Sequence, residues 1–225
     1  MPRTPRLLII DPSVAFPEDE GAAEAARGWP GEVRVLRPAL RPGDGPRPGD
    51  GYEADGIVLL GSRASANDDL PWLRDLGAWL LPVLRGEMPL PLLGICFGHQ
   101  LVGKLAGGTV GYLHEDRHAE LGVRESILDG SRLLPDTLRM RVVASHGEEL
   151  KELPPGYRIV ARRPPLVTDG LEHQRLPIFT VQFHPEARQR FLTRRGADPS
   201  GLDAVAIVDN DRLLDAFRRL ALAPG

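Results

Sequence analysis

The sequence predicts an α/β fold, a mostly parallel sheet with helices on both faces, and three observations carry that expectation. Short β-type runs alternate along the chain with segments of helical spacing. The run Gly56–Leu60 is apolar throughout, as in a strand buried on both faces. The apolar run Pro91-Leu92-Leu93 leads directly into Gly94-Ile95-Cys96-Phe97-Gly98, where glycines flank the chain's one cysteine as they do when a strand reverses at once into a helix. At 225 residues the chain is long enough to bury most of a core, and one domain spanning residues 1–225 is expected.

In order, Arg6–Ile10 is a first strand ending at Asp11, Gly21–Gly28 an alanine-rich helix, and Glu32–Leu36 a strand. Residues 38–51 contain Arg-Pro-Gly-Asp-Gly twice and have little apolar surface to bury, so a mobile Pro/Gly surface loop is expected there. After the strand Gly56–Leu60, Leu70–Leu84 is the clearest helix: Asp68 and Asp69 precede it as candidate caps and Pro71 falls in its first turn. Leu101, Val102, Leu105 and Ala106 then recur at helical spacing behind the cysteine. Leu121–Ile127, Met140–Ala144, Tyr157–Arg162 and Leu166–Gly170 are expected as antiparallel or edge strands, with Ile178–Phe183 returning to the main sheet. In a closing helix Leu213, Leu214, Phe217 and Leu220 share one buried face, while Arg212, Asp215, Arg218 and Arg219 take the other.

A formal charge of −3 gives no reason to expect a nucleic-acid or membrane-surface partner. One cysteine excludes an internal disulfide, and Leu7–Ile10 is too short for a signal-peptide core. Leu76–Leu84 is about half the length of a membrane span, so a cytoplasmic protein is expected. His114 and His118 are four apart beside Glu115, Asp116 and Glu120, but Gly107, Gly108 and Gly111 argue for a loop rather than a ligating helix face. No metal and no cofactor are expected.

The chemistry concentrates at Cys96. A nucleophile elbow holds its apical residue out at the carboxyl edge of a sheet, and the N-terminus of the following helix favours thiolate over thiol. A lone cysteine is also often no more than a small buried apolar residue. The nucleophile reading gains from Val181-Gln182-Phe183-His184-Pro185-Glu186, which places an imidazole and a carboxylate two residues apart at a strand end. Cysteine chemistry needs both, one to move a proton and one to orient the ring.

Gly94-Ile95-Cys96-Phe97-Gly98-His99-Gln100 followed by Gln182-Phe183-His184-Pro185-Glu186 resembles the class I (triad-type) glutamine amidotransferase family. Ser145-His146-Gly147-Glu148 with Leu153-Pro154 is similar to that family's Ser-His-Gly-Asp segment before a Leu-Pro pair. The resemblance implies a flavodoxin-like fold and a Cys96–His184–Glu186 triad that hydrolyses the side-chain amide of L-glutamine through a thioester. In that family the glutaminase is fused to an acceptor-activating domain or docks on a separate subunit; since only helix and turn follow Glu186, the resemblance implies either ammonia transfer to a separate synthetase subunit, its acceptor unidentified, or simple hydrolysis of glutamine. Gln100 is implied in holding the substrate's α-amino or α-carboxylate group, with Ser145 and Gly147 touching substrate through the main chain. The amide of Phe97 would be one oxyanion donor. Gly61 would supply the other, although Ser62 and Arg63 stand where the family commonly has glycine and proline.

Two further readings share these residues. One keeps the triad but acts on γ-glutamyl amides other than glutamine, as a hydrolase or peptidase. The other is a fold relative without turnover that serves in regulation.

Overall fold

The computed structural model describes residues 3–51 and 54–223. In chain order its strands are β1 (Arg6–Ile10), β2 (Glu32–Leu36), β3 (Gly56–Leu59), β4 (Leu92–Ile95), β5 (Val110–Tyr112), β6 (Glu120–Leu128), β7 (Leu138–His146), β8 (Glu148–Leu150), β9 (Tyr157–Arg163), β10 (Leu166–His173) and β11 (Ile178–Val181). The helices are α1 (Asp19–Ala26), α2 (Pro71–Leu84), α3 (Phe97–Leu105), α4 (Gln189–Thr193) and α5 (Ala204–Leu222).

Side-chain alternation along the central strands settles the layers. Leu7 and Ile9, Val58, Leu93 and Ile95, and Phe179 and Val181 fill one core with Ala22 and Ala25 of α1 and Leu213, Leu214 and Phe217 of α5. Leu8 and Ile10, Ile57 and Leu59, Leu92 and Ile178 face the other way, onto Leu76, Trp79 and Leu80 of α2 and Phe97, Leu101 and Val102 of α3. Both faces are therefore covered by helices, and the strands they cover are the most apolar ones.

One sheet runs β2-β1-β3-β4-β11-β10-β9-β6-β7. Its first five strands are parallel and the last four join antiparallel. The antiparallel half does not simply extend outward. Met140 and Val142 of β7 share a core with Leu93 and Ile95 of β4, and the amide of His184 donates to Val143 O at 2.8 Å. The last strand thus returns to the middle of the sheet, just beyond the carboxyl ends of β4 and β11.

Several details depart from the sequence expectation. Asp68 and Asp69 do not cap α2: the N-cap position is Leu70, without a side-chain bond, while Asp68 accepts from Ser65 N and Asp69 pairs with Arg74. Arg218 is not on the solvent face of α5. It is buried, and its Nη1 donates to Glu24 O and Ala25 O, carbonyls of the last turn of α1. The short pair β5–β8 and the five-residue α4 carry too little periodicity to be read from sequence. In the 38–51 segment, Pro38 and Pro46 are buried and Asp50 O accepts from the indole of Trp79.

Candidate active site

The elbow forms because its neighbours have no side chains. A Cβ at Gly98 would lie 2.3 Å from Leu59 O, and one at Gly94 would lie 2.8 Å from Gly98 O, so α3 can pass this close to β3 and β4 only with glycine there. Cys96 pays for the reversal with φ 53° and ψ −103°, a region that L side chains rarely adopt. Strain at one residue, held in place by close backbone packing on both sides, is a known mark of a functional position.

Three strand ends converge on the sulfur. A Cβ built on Gly61, just past β3, would lie 2.8 Å from His184 Cε1 and 3.5 Å from Cys96 Cβ. The imidazole is buried, with Nδ1 2.7 Å from Glu186 Oε1, and Nε2 makes no closed hydrogen bond but stands beside the sulfur. Burial works against the imidazolium, but the Glu186 carboxylate and the Cys96 sulfur outweigh it and push the His184 pKa up to about 10. A carboxylate on one nitrogen and a sulfur on the other is the arrangement of base, orienter and nucleophile.

Among the described residues, neither Phe97 N nor Gly61 N donates to a backbone carbonyl. Phe97 is the first residue of α3, whose leading amides have no partner within the helix. Two amides on either side of Cys96 are thus available to a developing negative charge. Ser62, in a position where the family commonly has glycine, braces the loop that begins at Gly61. Its Oγ donates to Pro12 O at 2.7 Å and accepts from Ala64 N at 3.1 Å.

The remaining sequence candidates lie around this centre in different ways. Ser145 is the penultimate residue of β7 and not a turn residue, and its carbonyl accepts from Cys96 Sγ at 3.7 Å. Gly147 connects β7 to β8, and its carbonyl takes Leu113 N at 2.9 Å. Gln100 is buried one turn behind Cys96, but its amide nitrogen is already committed to Glu148 O at 2.7 Å and Gln182 Oε1 at 3.1 Å. His114 and His118 stack in the loop between β5 and β6, ring centroids 3.7 Å apart.

Sequence reasoning missed two buried histidines. His99 lies behind the elbow with Nδ1 2.8 Å from Thr180 Oγ1, and burial first, then His146, lowers its pKa to about 3. His146 is the side chain between Ser145 and Gly147, and no local pattern betrays the partners of its Nε2, Arg163 and Glu120, because they come from other strands.

A model of the family described as Glutamine amidotransferase class-I matches residues 50–195, the stretch that contains Gly61, Cys96, Phe97, His184 and Glu186. A glutamine-hydrolyzing GMP synthase subunit of Thermococcus kodakarensis is 43% identical over 114 residues, 50% of this chain and 57% of the relative, so the chain spans little more than half of that protein's length. The subunit of the same name from Methanopyrus kandleri is 33% identical over 152 residues, covering 64% of this chain and 72% of the relative. A crystal structure of a glutamine amidotransferase from Thermotoga maritima superposes with a TM-score of 0.72 at 22% identity, covering 98% of this chain and 100% of the other, a likeness of fold. With the elbow, the buried histidine–carboxylate pair and the free amides all inside the matched stretch, the chain belongs to the class-I glutamine amidotransferase family.

Proposed function

We propose that this chain hydrolyses the side-chain amide of L-glutamine and passes the ammonia to a separate synthetase subunit. The observation that carries the reading is the convergence of Gly61, Cys96 and His184, with Glu186 held 2.7 Å from the ring. Cys96 Sγ attacks the amide carbon, and the oxygen takes up the negative charge between Phe97 N and Gly61 N. The imidazolium of His184 gives its proton to the departing nitrogen, so that ammonia leaves and a glutamyl thioester remains. Water then attacks the thioester as His184 takes a proton from it, and glutamate and the thiolate are released. Glu186 keeps the ring in the orientation and tautomer that this exchange needs.

The synthetase partner is supported by the relatives, which are named as subunits of GMP synthase. A nucleotide synthetase is accordingly the first acceptor to test. The proposed place of action is the cytoplasm, and no helix among the described residues is long and apolar enough to cross a membrane.

The experiment is steady-state ammonia release from L-glutamine by the purified chain, alone and with the synthetase subunit, beside a panel of bulkier γ-glutamyl amides. Cys96→Ser should abolish release while leaving the fold intact, and 6-diazo-5-oxo-L-norleucine, a glutamine-shaped electrophile, should label Cys96 alone. Turnover in Cys96→Ser would overturn the mechanism, and preference for a bulkier amide would favour the hydrolase reading. Failure of the electrophile to label Cys96 in the presence of the partner would point to a protein without turnover.

A further inference from the structure

We propose that Arg163, in β9, is a positioning residue of this site: it fixes the tautomer of His146 and thereby holds the Ser145–Glu148 backbone against the catalytic cysteine. The inference rests on the amidotransferase reading of Cys96. Arg163 is 3% exposed, and its guanidinium spans three groups from three other strands. Nη1 donates to Glu120 Oε2 at 2.5 Å, and Nη2 lies 3.3 Å from Asp169 Oδ1 and 3.1 Å from His146 Nε2. The carboxylates are held in turn, Glu120 by Arg124 Nε at 2.6 Å and Asp169 by Ser126 Oγ at 2.5 Å.

A guanidinium has no acceptor, so the nitrogen it meets at 3.1 Å must offer a lone pair. The ring proton of His146 is then on Nδ1, where it donates to Glu148 O at 3.0 Å. That carbonyl is also the acceptor for Gln100 Nε2, and the Glu148 carboxylate accepts from Ser65 Oγ in the loop that begins at Gly61. On the other side of His146, the Ser145 carbonyl meets Cys96 Sγ. One short segment therefore touches the sulfur, the helix behind it and the Gly61 loop, and His146 is its anchor.

Burying a charged network is rarely the most stable choice, because well-packed apolar residues do as well or better. What apolar residues cannot do is dictate which ring nitrogen carries the proton. Without the guanidinium, Glu120, 3.5 Å from Nε2, becomes the ring's remaining ionic partner. It would draw the His146 ring toward itself and away from Glu148 O.

The test uses Arg163→Met and Arg163→Lys with four readouts. By nitrogen-15 NMR of histidine-labelled protein, His146 should show the Nδ1–H tautomer in the unaltered chain and lose that preference in Arg163→Met. The KM for glutamine should rise about tenfold with kcat changed less than about threefold, as expected when binding geometry rather than chemistry is disturbed. Alkylation of Cys96 by iodoacetamide, which needs none of the 145–148 backbone, should stay within about twofold, while labelling by 6-diazo-5-oxo-L-norleucine slows about tenfold. Lysine, with no planar fork, should not rescue.

An unchanged KM in folded Arg163→Met, or equal slowing of both electrophiles, would overturn the proposal. If Arg163→Met does not fold, His146→Asn and His146→Gln decide: asparagine keeps a donor near the Nδ1 position, so its KM should be the lower, and equal or reversed values would overturn it. Should the unaltered chain show neither turnover nor labelling, the amidotransferase reading falls. The histidine spectrum still judges Arg163 in that case.

Discussion

Glu186→Gln removes a charge while keeping shape, and so isolates what the carboxylate does to His184. An imidazole as buried as this one should titrate below its ordinary 6.5, yet His184 is held at about 10, with the charge of Glu186 the largest single cause that raises it and Cys96 adding to it. The gap between about 10 and 6.5, at about 1.4 kcal/mol per pH unit, is about 5 kcal/mol of preference for the imidazolium. Glutamine keeps an oxygen near Nδ1 but no charge, so the His184 pKa should return toward 6.5. A return all the way to 6.5 would leave the ring about 3% protonated at about pH 8 instead of about 99%, a fall of about 30-fold in release of ammonia, which needs that proton; Cys96, which the substitution leaves in place, still raises the pKa and makes the fall smaller. At about pH 6 both forms are mostly protonated, and this part of the loss shrinks to less than about twofold. Any loss from poorer ring orientation is the same at both pH values.

The assay is kcat/KM for ammonia release from about pH 5.5 to about pH 10 in both forms. A deficit in Glu186→Gln that is the same at every pH would refute the electrostatic role and leave only orientation. Stability gives a second check with its own sign. Because the folded pKa is raised, the contribution of His184 to the fold is fully present below about pH 6.5 and is lost as pH rises toward about 10. Glu186→Gln should flatten that part of the pH–stability curve, as followed by urea unfolding.

Substitutions at three positions test the geometry. Because Cys96 has φ 53°, Cys96→Gly should be more stable than Cys96→Ala by about 1–3 kcal/mol in denaturant unfolding, and a more stable alanine would deny the strain. Gly61→Ala puts a methyl group 2.8 Å from His184 Cε1, so kcat should drop by about 100-fold or more with little change in melting temperature; normal turnover would mean the ring has room to move. Gly98→Ala meets the Leu59 carbonyl at 2.3 Å, a backbone atom that cannot turn aside, and should cost about 1–3 kcal/mol or more of stability; a neutral result would show that α3 can lift off β3.

The sequence carried the frame of the fold because the buried parallel strands are apolar on successive residues and the elbow glycines are local. Cys96, His184 and Glu186 could be paired across the chain because the histidine and its carboxylate are two residues apart, so that finding one finds the other. What could not be read was whatever depends on strands meeting far from their neighbours in sequence. Nothing near Ser145 says that β7 curls back until Val143 O binds His184 N, or that Arg163 reaches His146 from β9. Arg218 was misassigned for a similar reason: helical periodicity puts an arginine on the wet face, but the open carbonyls of α1 offered its guanidinium a better place. Asp68 and Asp69 had the right composition for caps, but each found a nearer partner.

The stretch that matches the family model begins at residue 50, yet the site does not rest on that stretch alone. Ser62 fixes the Gly61 loop by bonding Pro12 O, in the turn that follows β1. Gly21 of α1 lies so close to Glu186 that a Cβ there would come within 3.0 Å of its Cγ. Asp11, fully buried at the end of β1, accepts from Ser13 N and Glu18 N and so sets the turn that delivers α1 to that position. One side of the Glu186 carboxylate is therefore packed by the first βα unit, and the Gly61 loop is tied to the same unit. The two catalytic pieces that sequence motifs identify, the elbow and the histidine–carboxylate pair, are held in register by a third that bears no motif at all. A glycine at position 21 and a serine at position 62 therefore shape the candidate site as directly as the elbow glycines do.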